Sequence, residues 1–337
     1  MKKYAIGIDF GTLSARAVLA RLENGEIMSA ASYDYPHGVM DEALPCGKKL
    51  AWGWSLQHPK DYLEALEYTI PAVLKEAEVN ADEVAALGID FTCSTNMPTL
   101  ADGTPLCFLP EFEEEPYAYV KLWKHHAQSQ MEYVQTVARE MKVNWLRNTG
   151  NRISSEWPLP KLLQVKEEAP AVFEKTDVYL EAGEWLTWLL TGNLTRSANA
   201  AGIKNFYEEG VGYPPNEFFK AVDPAFDGLM EKQLRGDTLP LYQCAGYLKE
   251  DMAKKLGLWA GMPIAPFMVD AQAGFFSAGL CEKGEMVTVL GTSACHLLFG
   301  DEDVARLLTV LFADDAKILH KVNVSCRTAK SEAELSL

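Results

Sequence analysis

The first apolar run of the chain, Ala5-Ile6-Gly7-Ile8, stops at Asp9, turns through Gly11-Thr12 and resumes at Ala15-Arg16-Ala17-Val18-Leu19-Ala20. The pattern predicts strand, tight turn, strand. Gly11 lets the backbone take angles that other residues resist, and lets a ligand approach the main chain. Successive N–H groups around such a turn form a concavity for anions. A carboxylate at the strand end, Asp9, can hold a hydrated Mg²⁺ beside bound phosphates. Taken alone, the stretch also reads as an ordinary β-hairpin. The layout returns from Met286 to Phe299, where an apolar strand runs into Gly291-Thr292 and another leaves it. Two hairpins with Gly-Thr at their tips suggest two related half-molecules facing one nucleotide.

Between the hairpins the pattern switches period repeatedly. Ile27 to Tyr35 reads as a strand, and residues 36–52, rich in Gly and Pro, as a loop. Tyr62, Leu63, Leu66, Ile70, Val73 and Leu74 recur at helical spacing after His58-Pro59. Val84 to Phe91 is a buried strand, followed by the polar loop Thr92 to Asn96. Pro105 to Leu109 predicts another short strand, and Glu111 to Glu115 a solvated loop. Val120 opens a helix that runs to about Lys142. His125 and His126 are adjacent in it, so they point about 100° apart and cannot share a metal in the i, i+4 manner. A surface or substrate-edge role is expected for them. A loop over Ile153 to Pro158 leads into helix 159–168, and the helix from Glu181 ends at Gly192. Lys204 sits among small and apolar residues, either as a snorkelling surface lysine or as a cation directed into a polar-ligand cleft. Leu239-Pro240-Leu241 marks a domain boundary. Pro263 to Val269 is an apolar strand that ends in Asp270, an acidic residue beside small ones and an active-site position. Strands alternating with helices give a parallel or mixed sheet, with ligands at the strands' carboxyl ends.

Composition narrows the function. The chain has 337 residues, 48% of them hydrophobic and 23% charged, which suits a globular protein of two domains. A formal net charge of −16 argues against nucleic acid, whose phosphates need a basic face. The seven cysteines are odd in number and lack C-x-x-C spacing, so neither a disulfide framework nor a zinc site is supported. The start, Met1-Lys2-Lys3-Tyr4, enters a strand directly, and no apolar run reaches membrane-spanning length. A cytoplasmic location is expected, with no membrane partner.

Taken together, several segments carry a resemblance: Gly7-Ile8-Asp9-Phe10-Gly11-Thr12, Leu56-Gln57-His58-Pro59, Val120 to His126, Ile153-Ser154-Ser155-Glu156-Trp157, Leu190-Thr191-Gly192, Tyr213 to Lys220, Val269-Asp270-Ala271 and Leu290 to His296. In this order the chain resembles the FGGY family of carbohydrate kinases, most closely its members acting on L-ribulose. The resemblance covers roughly residues 3 to 303. It implies an α/β, actin-like (ribonuclease H-like) ATPase and sugar kinase fold. The first domain would be complete over 1–243 and the second partial over 244–303, with an atypical tail over 304–337. It implies transfer of the γ-phosphoryl of ATP to a ketopentose, with Mg²⁺. Asp270 is then the general base, and Asp9, Gly11, Thr12, Ser14, Arg16, Gly291, Thr292 and Ser293 hold the nucleotide. Asp9 is also the Mg²⁺ anchor, acting through water. Thr95, Asn96, Lys204 and Asp270 contact the sugar. A homodimer is one expected assembly. Gln272 stands where the family commonly has His. Beyond Asp303 the likeness stops, and Val304, Leu307, Leu308, Leu311 and Phe312 take helical spacing. A truncated or frameshifted reading accounts for this, and implies impaired activity. The alternatives are an FGGY kinase of xylulose or ribitol type, or a non-catalytic actin-like module that binds sugar or a protein partner.

Overall fold

The computed structural model describes residues 2–279, 285–290, 294–298, 307–312 and 318–324. The chain begins with three antiparallel strands, β1 (Tyr4–Phe10), β2 (Ser14–Arg21) and β3 (Ile27–Asp34). Strict alternation in β1 buries Tyr4, Ile6, Ile8 and Phe10 on one face, and β2 adds Ala15, Ala17 and Leu19. Helix α1 (Pro59–Glu76) covers that face with Tyr62, Leu66, Ile70 and Val73. His58 caps its first turn, since its Nδ1 accepts from the Lys60 N–H at 3.1 Å. Strand β4 (Val84–Phe91) then lies parallel to β1, and Phe91 stacks on Phe10 with ring centroids 5.3 Å apart.

A second layer follows. Strands β5 (Asn96–Thr99), β6 (Val120–Lys121) and, after helices α2 (Gln128–Glu140) and α3 (Pro158–Glu168), β7 (Val178–Glu181) form a small antiparallel sheet with Leu56–Gln57. A separate core around Tyr119, Leu162, Leu163, Phe218 and Phe219 packs beneath it. Helix α4 (Ala182–Thr191) starts in a reciprocal capping box between Glu181 and Glu184, and ends where Gly192 takes φ +79°. Helix α5 (Ala198–Lys204) follows, its first turn capped by the Ser197 hydroxyl.

The chain then returns to the first sheet. Strand β8 (Gly246–Tyr247) is antiparallel to β9 (Pro263–Ile264), with α6 (Glu250–Leu256) between them. Strands β9 and β10 (Met268–Val269) both pair parallel to β4, which completes a seven-stranded sheet. Residues 246–269, expected to lie in a second domain that starts at 244, thus pair into the sheet begun by β1. Helix α7 (Asp270–Ser277) comes last in the continuous part. Beyond it Met286–Leu290 and Ala294–Leu298 pair antiparallel, as the second hairpin requires.

Three expected elements differ. Val120–Lys121 is a strand, held between Leu56–Gln57 and Asn96, and the helix begins only at Gln128. The expected strand at 105–109 is a 3₁₀ turn over Leu106–Phe108, bracketed by Pro105 and Pro110, which have no N–H for a ladder. Leu307–Phe312, read as helical, is a strand paired with Ile318–Val324. Its five apolar residues in six also fit a strand, and short apolar runs do not settle their own period. Among the described residues no helix is long and apolar enough to cross a membrane.

Candidate functional site

The carboxyl ends of β1, β4 and β10 open into a cleft of about 680 Å³. Each end supplies a carboxylate: Asp9 is the last residue but one of β1, Asp90 the last but one of β4, and Asp270 directly follows β10. The parallel register sets Asp9 beside Asp90. Gly-Ile-Asp-Phe occurs at 7–10 and again at 88–91, and the two copies lie side by side, residue against residue. Asp270 is fixed through the backbone. The Val269 N–H donates to Asn199 Oδ1 at 2.9 Å, and the Ala271 N–H donates to Asp270 Oδ1 at 2.7 Å. Asn199 lies on α5, the helix that also carries Lys204 to the cleft. One short helix thus places both the acid and the cation.

The Gly11-Thr12 turn borders the same cleft. It is closed by the Gly11 N–H donating to the Ser14 carbonyl at 3.0 Å, and a Cβ on Gly11 would stand 3.3 Å from that oxygen. Gln57 Nε2 donates to the Thr12 carbonyl at 2.8 Å, and Trp123 Nε1 to Thr12 Oγ1 at 3.1 Å. The turn is therefore held from two elements of the second layer. Arg16 lies opposite Asp9 across the hairpin, with Nη1 3.7 Å from Oδ2 and both groups open to solvent.

Electrostatics single out the carboxylates. Burial raises the Asp90 carboxyl well above the ordinary carboxylate range, and its neighbours Asp9 and Asp270 add to the rise. Burial likewise raises Asp270, with a further push from the Asp9 charge. Burial works against the Lys204 ammonium, but Cys93, Glu156 and Glu181 outweigh it and raise its pKa. Its Nζ stands 3.5 Å from Glu156 Oε1. Oxygen donors crowded in this way suit a hard divalent cation, which would relieve their mutual repulsion. Among the described residues no three His, Cys, Asp or Glu side chains close into a direct ligand set. An ion here would keep much of its water shell.

Two expected sugar contacts do not reach the cleft. Thr95 bonds the Thr92 hydroxyl at 2.7 Å, and its N–H donates to Glu181 Oε2 at 2.9 Å. Asn96 lines a separate cavity of about 20 Å³ with Glu181, Glu184 and Arg196. Ser94, at φ +62°, turns the chain so that Thr92 and Cys93 line the cleft instead. Ser14 lies past the tip, at the start of β2. Gly291, Thr292 and Ser293 lie outside the described residues. His125 is not at a surface or cleft edge. It is buried, bonded to Gln164 Oε1 at 3.0 Å, while His126 bonds the Ser155 hydroxyl at 2.7 Å. Asp90 escaped the sequence reading, although the repeated Gly-Ile-Asp-Phe would have pointed to it.

The N-terminal domain of the FGGY family of carbohydrate kinases matches residues 4–277. A ribulokinase of Geobacillus thermodenitrificans is 44% identical over 304 residues, covering 90% of this chain and 54% of that protein. A ribulokinase of Mycolicibacterium smegmatis is 38% identical, covering 88% and 53%. The chain thus spans about half the length of the curated relatives it matches. Among solved structures, ligand-bound xylulose kinase from Lactobacillus acidophilus superposes with a TM-score of 0.68 at 18% identity, over 93% of this chain and 56% of that one. Plasmodium falciparum glycerol kinase with ADP superposes with a TM-score of 0.66 at 16% identity, over 97% and 61%. These likenesses give the fold as the actin-like one of sugar kinases. From the match over residues 4–277 and the identities to both ribulokinases, the chain belongs to the FGGY family of carbohydrate kinases.

Proposed function

We propose that this chain forms the sugar-binding half of an ATP-dependent kinase that converts L-ribulose to L-ribulose 5-phosphate. The observation that carries the reading is Asp270 facing Asp9, Asp90 and Lys204 across one cleft, beside the Gly11-Thr12 turn. A sugar hydroxyl is a weak nucleophile at neutral pH, so a carboxylate must take its proton as it attacks. Asp270 is that base, and its burial makes it the stronger proton acceptor. The hydroxyl oxygen bonds to the γ-phosphorus, the bridging P–O bond breaks, and ADP leaves. Lys204 donates to sugar hydroxyls, with Glu156 orienting its ammonium. The Gly11-Thr12 turn presents its backbone to the phosphates. Asp9 and Asp90 would hold Mg²⁺ through its waters, and the ion would neutralise charge on the transferring phosphoryl group. The ribulokinase relatives support L-ribulose as the substrate. A cytoplasmic location, where ATP is available, goes with this reading.

The test is titration calorimetry of the 337-residue chain with L-ribulose, D-ribulose, D-xylulose and ribitol, beside ADP release with each. L-ribulose should bind most tightly. Where ADP release is measurable, Asp270→Asn should lower turnover by roughly 10²–10⁴-fold with sugar affinity little changed. Absence of binding to every pentulose and pentitol, or near-normal turnover in Asp270→Asn, would overturn the assignment.

A further inference from the structure

The loop from Thr92 to Thr95 leaves β4 and gives the cleft Thr92 and Cys93. At its tip Ser94 takes φ +62°, a region that residues with a Cβ avoid unless their surroundings impose it. Two buried side chains of opposite sign impose it here. Glu181, at the end of β7, accepts from the Ser94 N–H at 3.1 Å and the Thr95 N–H at 2.9 Å. Lys161, on α3, is 0% exposed, and its Nζ donates to the Ser94 carbonyl at 2.6 Å. The same Nζ donates to the Leu122 carbonyl at 2.8 Å. Leu122 is next to Trp123, which forms another part of the cleft wall and bonds Thr12.

One amine therefore ties two loops distant in sequence, each one residue from a cleft-lining side chain. Neither Lys161 nor Glu181 lines the cleft. Their burial is expensive. It lowers the Lys161 ammonium, and it raises the Glu181 carboxyl together with the Glu184 charge. Buried charges of this kind are often no more stabilising than apolar residues of the same shape. Bulk stability is thus a poor reason for their presence, and their bonds to the loop are a better one.

We propose that Lys161 and Glu181 are positioning residues for the substrate cleft. Lys161 fixes the Cys93 and Trp123 walls relative to each other through the Ser94 and Leu122 carbonyls. Glu181 keeps Ser94 in its left-handed turn. The effect on pentulose binding rests on reading the cleft as the sugar site, whereas the effect on the loops does not.

Two measurements on the full chain separate these parts. The first is hydrogen–deuterium exchange without ligand. In Lys161→Met, amides of 92–96 and of 121–124 should exchange about tenfold faster or more, with those of β1 and α1 unchanged. In Glu181→Gln, only 92–96 should respond. In Ser94→Gly neither segment should, because glycine takes this φ freely and keeps the carbonyl. The second is calorimetry, in which Lys161→Met should weaken L-ribulose binding about tenfold or more. Unchanged exchange in both segments of Lys161→Met, or acceleration spread evenly over the chain, would overturn the proposal. Should Lys161→Met fail to fold, the segment-specific response of Glu181→Gln decides it, and a response at 121–124 equal to that at 92–96 would count against it. Absence of pentulose binding by the unaltered chain would refute the sugar reading, while the exchange result would still decide the role of these residues.

Discussion

Gly183→Ala is a one-carbon perturbation whose effect should reach the proposed base. Gly183 is the second residue of α4, and Phe267 precedes β10 by one residue. A Cβ on Gly183 would stand 2.4 Å from Phe267 Cδ2 and 2.5 Å from Cγ. Carbon atoms in contact prefer about 3.5–4.0 Å, so the ring would have to retreat by about 1 Å. Cγ is the root of the ring, not its free end, and Phe267 is 1% exposed. Rotation about the side chain cannot clear the clash, and the backbone before Asp270 must shift. Overpacking of this kind costs about 1–3 kcal/mol. Alanine recovers at most about 1 kcal/mol of helix propensity, and less in a first turn. The net expectation is a loss of about 1–2 kcal/mol, read from urea unfolding followed by tryptophan fluorescence. Phe267→Ala, which removes Cγ and the ring, should relieve the clash. The double variant should then be more stable than the sum of the single effects by about 1 kcal/mol or more. Stability of Gly183→Ala at or above that of the unaltered chain, or strict additivity in the cycle, would refute the argument.

Two further outcomes follow from buried polar groups. Arg196 Nη1 pairs with Glu184 Oε2 at 2.8 Å, with both side chains nearly inaccessible, and its other nitrogens donate to the Arg235 and Gln233 carbonyls. Arg196→Met should cost about 3–5 kcal/mol by stranding Glu184, and Glu184→Gln added to it should recover part of the loss in the same unfolding assay. A loss below about 1 kcal/mol would show the pair to be dispensable. For His125, burial pulls the imidazole down to about 2, with the Lys121 and Lys161 charges adding to it. A folded pKa depressed below the unfolded 6.5 gives stability that is full above pH 6.5 and lost as pH falls. Between pH 6.5 and 5, the unaltered chain should lose about 2 kcal/mol relative to His125→Asn. Parallel pH profiles for the two would contradict this.

Local periodicity carried the first sheet. The alternation in β1 and the apolar spacing in α1 are properties of a few adjacent residues, and both elements fall where that spacing puts them. The stretch before Asp270 was legible only in part, since the apolar run expected as one strand over 263–269 forms two short strands, Pro263–Ile264 and Met268–Val269. The sugar side was less so. Thr95 and Asn96 are expected at the sugar by resemblance, whereas in the structure both are buried past the left-handed Ser94 and face Glu181. Lys161 and Glu181 carry no local signal, because their partners lie 67 and 87 residues away. Val120–Lys121 reads as the start of a helix until Leu56–Gln57 and Asn96 are laid beside it. In each case a long-range hydrogen bond overrode a local preference.

The return of β9 and β10 to β4 has a mechanical consequence. Asp9, Asp90 and Asp270 stand at the ends of neighbouring strands in a single hydrogen-bonded ladder. A sheet of this kind bends as a unit, and its strands do not slide past one another without breaking several bonds at once. The three acids are therefore mounted on one rigid plate, and their spacing is decided when the sheet forms. Any element that swings over the mouth of the cleft changes what faces the acids and how much water they see, without altering the distances among them. On the proposed function, the arrival of the opposite wall would gate the chemistry, with Asp270, the proposed base, already in place.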